Sequence, residues 1–178
     1  EMRGLNRSTA TASGDAGTLF RMNVSGAGYH IYAANTNTTG TASASGLVLE
    51  NIDFEGLKST YTSVSNVATY SYAGAGGILI SEGNPDQSGS NIANISLKNI
   101  HVNSARHHGI MIYGAITSRL EKCRVRNTGG HAYYIAGSST SVHFDTCYAL
   151  SANLAGFCLH GSSYSVLTAC TADNCSVG

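Results

Sequence analysis

Apolar residues in this chain fall in short alternating runs, not in helical stripes. The segment Ile95-Ser96-Leu97-Lys98-Asn99-Ile100-His101-Val102 alternates apolar and polar side chains, breaks, then alternates again. Alternation at a spacing of two marks a strand with one buried face. The break between Leu97 and Ile100 predicts a bend joining two short strands. The pattern returns at Ser118–Val125, 23 residues on, at Val142–Ala149 after 24 more, and at Ser165–Ala172 after another 23. An earlier copy is Leu47–Phe54. A third short strand follows in each repeat: Gly109–Tyr113, Ala132–Ala136 and Gly156–His160, with Gly77–Ser81 as the same element earlier.

Three short strands per repeat of 23–24 residues predict an all-β solenoid in which each repeat is one rung of a parallel β-helix. Leu49 and Leu97 are 48 residues apart. One rung enlarged by loop insertions near 57–74 and 81–92 accounts for that step; two rungs of 24 would give the same total. Residues 19–32 carry the apolar spacing of a still earlier rung. The last repeat stops before its third strand, so the chain, 1–178, is expected to be a β-helix fragment of a longer protein.

Strands stacked in parallel lie about 4.8 Å apart, so equivalent positions form ladders. Ile52, Ile100, Cys123, Cys147 and Cys170 make one inward ladder. Leu49, Leu97, Leu120, Phe144 and Leu167 make a second, and Ile110, Tyr133 and Phe157 a third. The cysteines read as packing thiols; a disulfide between adjacent rungs remains the alternative. Ser104, Asn127, Ser151 and Asn174 align at one bend, and Asn51 with Asn99 at another, where polar side chains satisfy bend amides.

Composition narrows the function. Lys+Arg and Asp+Glu are each 10, and charged residues are only 11%. A balanced, weakly charged chain lacks the basic footprint of a nucleic-acid binder. No apolar run is long enough to span a bilayer. Phosphate-loop, HExxH and GxSxG motifs are missing. His108 and His131 align one rung apart beside His107, but two imidazoles without a thiol or carboxylate make an incomplete metal site. Neither a metal nor another cofactor is expected; these histidines are read as bonding bend carbonyls.

On its I-x-L-x-N-I-x-V and G-I-x-I rung motifs, spanning about 20–175, the chain resembles the right-handed parallel β-helices of the pectate-lyase-like superfamily. Its Gly/Ser/Thr/Asn-rich texture is most similar to bacteriophage tailspikes and polysaccharide depolymerases. That resemblance implies a homotrimer on the virion tail that binds and cleaves bacterial surface polysaccharide, capsule or O-antigen. A secreted bacterial polysaccharide lyase or hydrolase, and a non-catalytic adhesin or structural spike, are the alternatives. The calcium aspartates of pectate lyases and the paired-aspartate motif of polygalacturonases do not appear.

Positions between the inward pairs are expected to face solvent. One outward column reads Glu50, Lys98, Glu121, Asp145, Thr168. A second reads Asp53, His101, Arg124, Tyr148, Thr171, and a third Ser96, Arg119, His143. Met111, Tyr134 and Cys158 align outward on the third strand, as do Tyr113, Ala136 and His160. Glu121 and Asp145, one ladder step apart, form the candidate catalytic pair. Neighbouring carboxylates raise each other's proton affinity, which separates an acid from a base. A spacing near 5 Å favours retention in glycoside hydrolysis. Arg119, Arg124, His143, Tyr148 and His101 are the candidate substrate-binding residues. Asp53 with Glu55 is a second acidic pair. An ordinary ladder of ion pairs is the competing reading.

Overall fold

In a computed structural model the described residues are 2–3, 18–21, 31–34, 46–56, 77–81, 92–137 and 139–176. Most of both expected insertions, the 22–30 stretch and the Gly74–Gly76 turn lie outside them. The strands are β1 (Met2–Arg3), β2 (Thr18–Arg21), β3 (Ile31–Ala34), β4 (Val48–Glu55), β5 (Ile78–Ser81) and β6 (Ile92–Ala93). Then come β7 (Ser96–Asn103), β8 (Ile110–Tyr113), β9 (Ala115–Glu121), β10 (Arg124–Arg126) and β11 (Tyr133–Ala136). The last are β12 (Thr140–Asp145), β13 (Tyr148–Leu150), β14 (Phe157–Leu159), β15 (Val166–Thr168) and β16 (Thr171–Asp173). All the described pairings are parallel, and each strand pairs with its counterpart in the next repeat.

The register is the one the repeat demands. Leu49 pairs with Leu97, Leu97 with Leu120, Leu120 with Phe144, and Phe144 with Leu167. Ile31, Ile78, Ile110, Tyr133 and Phe157 follow one another across the second sheet, ordered β3-β5-β8-β11-β14. β4 pairs directly with β7, and β5 with β8, so the 48-residue step is one enlarged rung. The earlier rung exists too: β1 and β2 both pair with β4, and β3 with β5.

Inward ladders build one continuous core from Leu49, Ile52, Leu97, Ile100, Leu120, Cys123, Phe144 and Cys147. All five cysteines are free thiols. Cys123 Sγ donates to Leu97 O at 3.4 Å and Cys147 Sγ to Leu120 O at 3.4 Å, each reaching back one rung. Burial pushes the Cys123 thiol well above its usual value and keeps it protonated. Cys170 and Leu167 were expected inside; both are partly exposed in the last described rung. No described strand pairs beyond β15 and β16, and β15 is exposed at all three positions.

Corners are made by single left-handed residues stacked in columns. Asn51, Asn99, Lys122, Thr146 and Ala169 have φ between 50° and 57°. Ser104, Asn127, Ser151 and Asn174 repeat this at the next corner, with φ of 51–58°. The columns align as expected, but their side chains bond one another, Asn99 Nδ2 donating to Asn51 Oδ1 at 2.7 Å and Asn174 Nδ2 to Ser151 Oγ at 3.1 Å, while the Ser104, Lys122 and Asn127 amides donate to backbone carbonyls of the next rung. A third column holds Asn94, Thr117, Ser141 and Tyr164, with φ of 58°, 52°, 54° and 54°. Asn tolerates this conformation, but a β-branched residue is strained there by about 1–2 kcal/mol. Thr117→Asn is therefore expected to raise stability by about 1 kcal/mol and Tm by about 2–4 °C. A thermal scan showing no gain would mean that Thr117 carries no such strain.

Candidate functional site

Glu121 and Asp145 end β9 and β12, just before the left-handed residues Lys122 and Thr146. The register pairs them directly, so both carboxylates leave the same face on adjacent rungs. Arg119, two residues earlier on that face, contacts both: its Nη2 is 3.1 Å from Asp145 Oδ2 and 3.9 Å from Glu121 Oε2. Lys98 Nζ reaches Glu121 Oε1 at 3.5 Å and Lys122 Nζ reaches it at 3.9 Å. Thr146 Oγ1 donates to Asp145 Oδ1 at 2.9 Å. His143 pairs with Arg119 in register and is exposed. The pair thus sits in a net of cations, with the guanidinium as its bridge.

Around the corner, Arg124, Tyr148 and His101 stand in register on β10, β13 and β7. Tyr148 Oη donates to Asp173 Oδ2 at 3.4 Å. Asp53 departs from expectation. It belongs to the outward column but is only 6% exposed, and neither carboxylate oxygen has a hydrogen-bond partner. His101 Nδ1 lies 3.0 Å from Asp53 Oδ1, close but without hydrogen-bond alignment. Glu55, its presumed partner, is engaged elsewhere: Asn103 Nδ2 donates to its two oxygens at 3.0 and 2.7 Å. Asp53 is therefore not the outward acid beside Glu55 that alternation predicts.

The outer face of the second sheet also departs from expectation. Met111, Tyr113, Tyr134 and Ala136 are buried and form a second apolar cluster with the partly buried Cys158. Beside it the histidines stack. The His108 and His131 rings are 5.3 Å apart and 13° from parallel, and Tyr134 stacks on His108 at 4.6 Å. His107 meets His108 edge-on at 4.0 Å. His108 and His131 accept from bend amides rather than donating to carbonyls, and His107 Nδ1 is buried without a partner. The His131 N–H donates to His108 Nδ1, and the Ala155 N–H to His131 Nδ1, both at 3.1 Å. An imidazole accepting at Nδ1 carries its proton on Nε2 and is neutral. Burial lowers all three pKa values: His107 falls from 6.5 to about 4, His108 well below 6.5, and His131 in the same direction. The 23-residue spacing of His108 and His131 was the sequence signal for this stack. Among the described residues, no group of three or more His, Cys, Asp or Glu is placed to hold a metal.

Parallel rungs, inward ladders and stacked left-handed corners define a β-solenoid. A family model described as "Right handed beta helix region" matches residues 10–178, and the chain belongs to that family. No curated protein and no solved structure matches it. The fold fits polysaccharide-active and adhesin-like proteins, and it does not by itself choose between them.

Proposed function

We propose that this protein is a tailspike-type depolymerase that binds and cleaves bacterial surface polysaccharide, working as a homotrimer on a virion tail. The observation that carries the reading is the in-register pair Glu121 and Asp145, bridged by Arg119 on the face of a many-stranded parallel sheet. A face of stacked rungs offers an extended polymer repeated contacts. Arg119, Arg124, His143, Tyr148 and His101 supply donors and one aromatic ring for them. Two carboxylates one ladder step apart suit retaining hydrolysis. Secretion from a bacterium is the alternative setting.

The test incubates the whole protein with a panel of capsular and lipopolysaccharide samples and follows new reducing ends or unsaturated products. Glu121→Gln and Asp145→Asn are each expected to lower kcat at least about a hundredfold while leaving binding intact. Full activity in both variants would remove this pair from the chemistry. One observation favours a second reading, an adhesin-like module that binds without cutting. Both carboxylates are already ion-paired, and a catalytic acid must hold a proton. Binding by the panel without any cleavage would decide for the adhesin.

A further inference from the structure

The chain is neutral overall, but its charge is not spread evenly. Residues 92–137 hold six Lys or Arg (Lys98, Arg106, Arg119, Lys122, Arg124, Arg126) and one acid, Glu121. Three of these cations gather on Glu121: Lys98 at 3.5 Å, with Arg119 and Lys122 each at 3.9 Å. Arg119 also holds Asp145. Arg124 and Arg126 are different. They flank the inward Val125 on β10, and both are exposed. Neither has an ion-pair partner among the described residues.

The register explains why. On adjoining rungs Arg124 stands between His101 and Tyr148, and Arg126 between Asn103 and Leu150. None of these four is a carboxylate. The acids of the two columns are two rungs away. Glu55 is occupied by Asn103. Asp53 is buried, with the His101 imidazole 3.0 Å from it on the rung nearer Arg124. Asp173, on the other side, takes the Tyr148 hydroxyl at 3.4 Å. The surface left in the middle is two guanidiniums, an imidazole edge and a phenol ring.

We propose that Arg124 and Arg126, with His101 and Tyr148, form a subsite for an anionic sugar unit. The inference rests on the polysaccharide reading above and adds the substrate class. A guanidinium presents a planar fork of donors that matches a carboxylate or a phosphate with two parallel hydrogen bonds. Tyr148 offers a ring face to the sugar beside it. His101 adds a donor, and the Asp53 charge beside it is withdrawn from the surface.

The experiment measures equilibrium binding of the whole protein to polygalacturonate, to phosphomannan and to neutral dextran. One or both acidic polymers are expected to bind more tightly than dextran, and which of them binds separates carboxylate from phosphate. Affinity for that polymer should fall as salt rises. Arg124→Gln should weaken it at least about tenfold. Arg124→Lys should restore only part of the loss, because the fork is gone. Equal binding of acidic and neutral polymers, or an unaffected Arg124→Gln, overturns the subsite and leaves the polysaccharide reading standing. Binding of single-stranded DNA as tight as that of the acidic glycans, with the same Arg124 dependence, also overturns it. No binding to any glycan, the bacterial panel included, overturns both.

Discussion

Tyr133→Ala is expected to cost about 3–5 kcal/mol of folding stability, a large share of the about 5–15 kcal/mol typical of a domain. Tyr133 is fully buried. Its ring stacks on Phe157 at 4.7 Å and 2°, and meets the edge of Phe144 at 5.6 Å. Its hydroxyl crosses the core and donates to Cys123 O at 2.8 Å, with Tyr148 O at 3.2 Å as a second acceptor. One side chain therefore ties the second sheet to the corner between β9 and β10. Removing it loses apolar burial, leaves a cavity and takes the hydroxyl's hydrogen bond from Cys123 O, which then keeps only the Tyr148 amide at 2.9 Å. Tyr133→Phe isolates the last effect and should cost about 1–2 kcal/mol. Urea midpoints for the three proteins measure both numbers. A Phe variant as stable as the parent would show that the hydroxyl contributes nothing to the tie.

Mild acid should destabilise the protein through its buried histidines. In the unfolded chain a histidine binds a proton near pH 6.5, whereas in the fold His107 does so only at about pH 4. Between those values the unfolded state holds more protons, so stability rises with pH and falls as pH drops. The contribution is complete above pH 6.5, declines through the window and levels off below pH 4. From pH 6.5 to 5, His107 alone accounts for about 1.5 kcal/mol. His108 and His131 shift in the same direction and add to the loss. The cause is geometric. Protonation would charge a buried stack and abolish the Nδ1 acceptors that hold the His131 and Ala155 amides. After burial, a charge on His131 and the Arg106 guanidinium oppose the charging of His107 further. Urea midpoints at pH 7.5 and 5.0 provide the measurement. His107→Phe should shrink the difference without abolishing it, because His107 Nδ1 is buried without a partner while His108 and His131 still titrate. Equal midpoints at the two pH values would contradict this account.

The amino-acid sequence alone determined the rung, its ladders and its corners. Strand side chains alternate strictly, and parallel rungs pair in register, so a 23–24-residue period leaves no freedom in which residues stack. Leu97 on Leu120, Asp145 beside Glu121 and Arg124 between His101 and Tyr148 all follow from that. The corner columns were legible where Asn marked them, at Asn51 and Asn99, and hidden at Lys122 and Ala169, whose side chains say nothing of a left-handed backbone. The tertiary structure decided what covers an outward position and where polar atoms point. Alternation says which side of the pleat a residue occupies, but not what packs over that side. Asp53, Met111 and Tyr134 are outward by pattern and buried in fact. Likewise the spacing stacked His108 on His131, but only the turn of the backbone presented an amide N–H, not a carbonyl, to each ring.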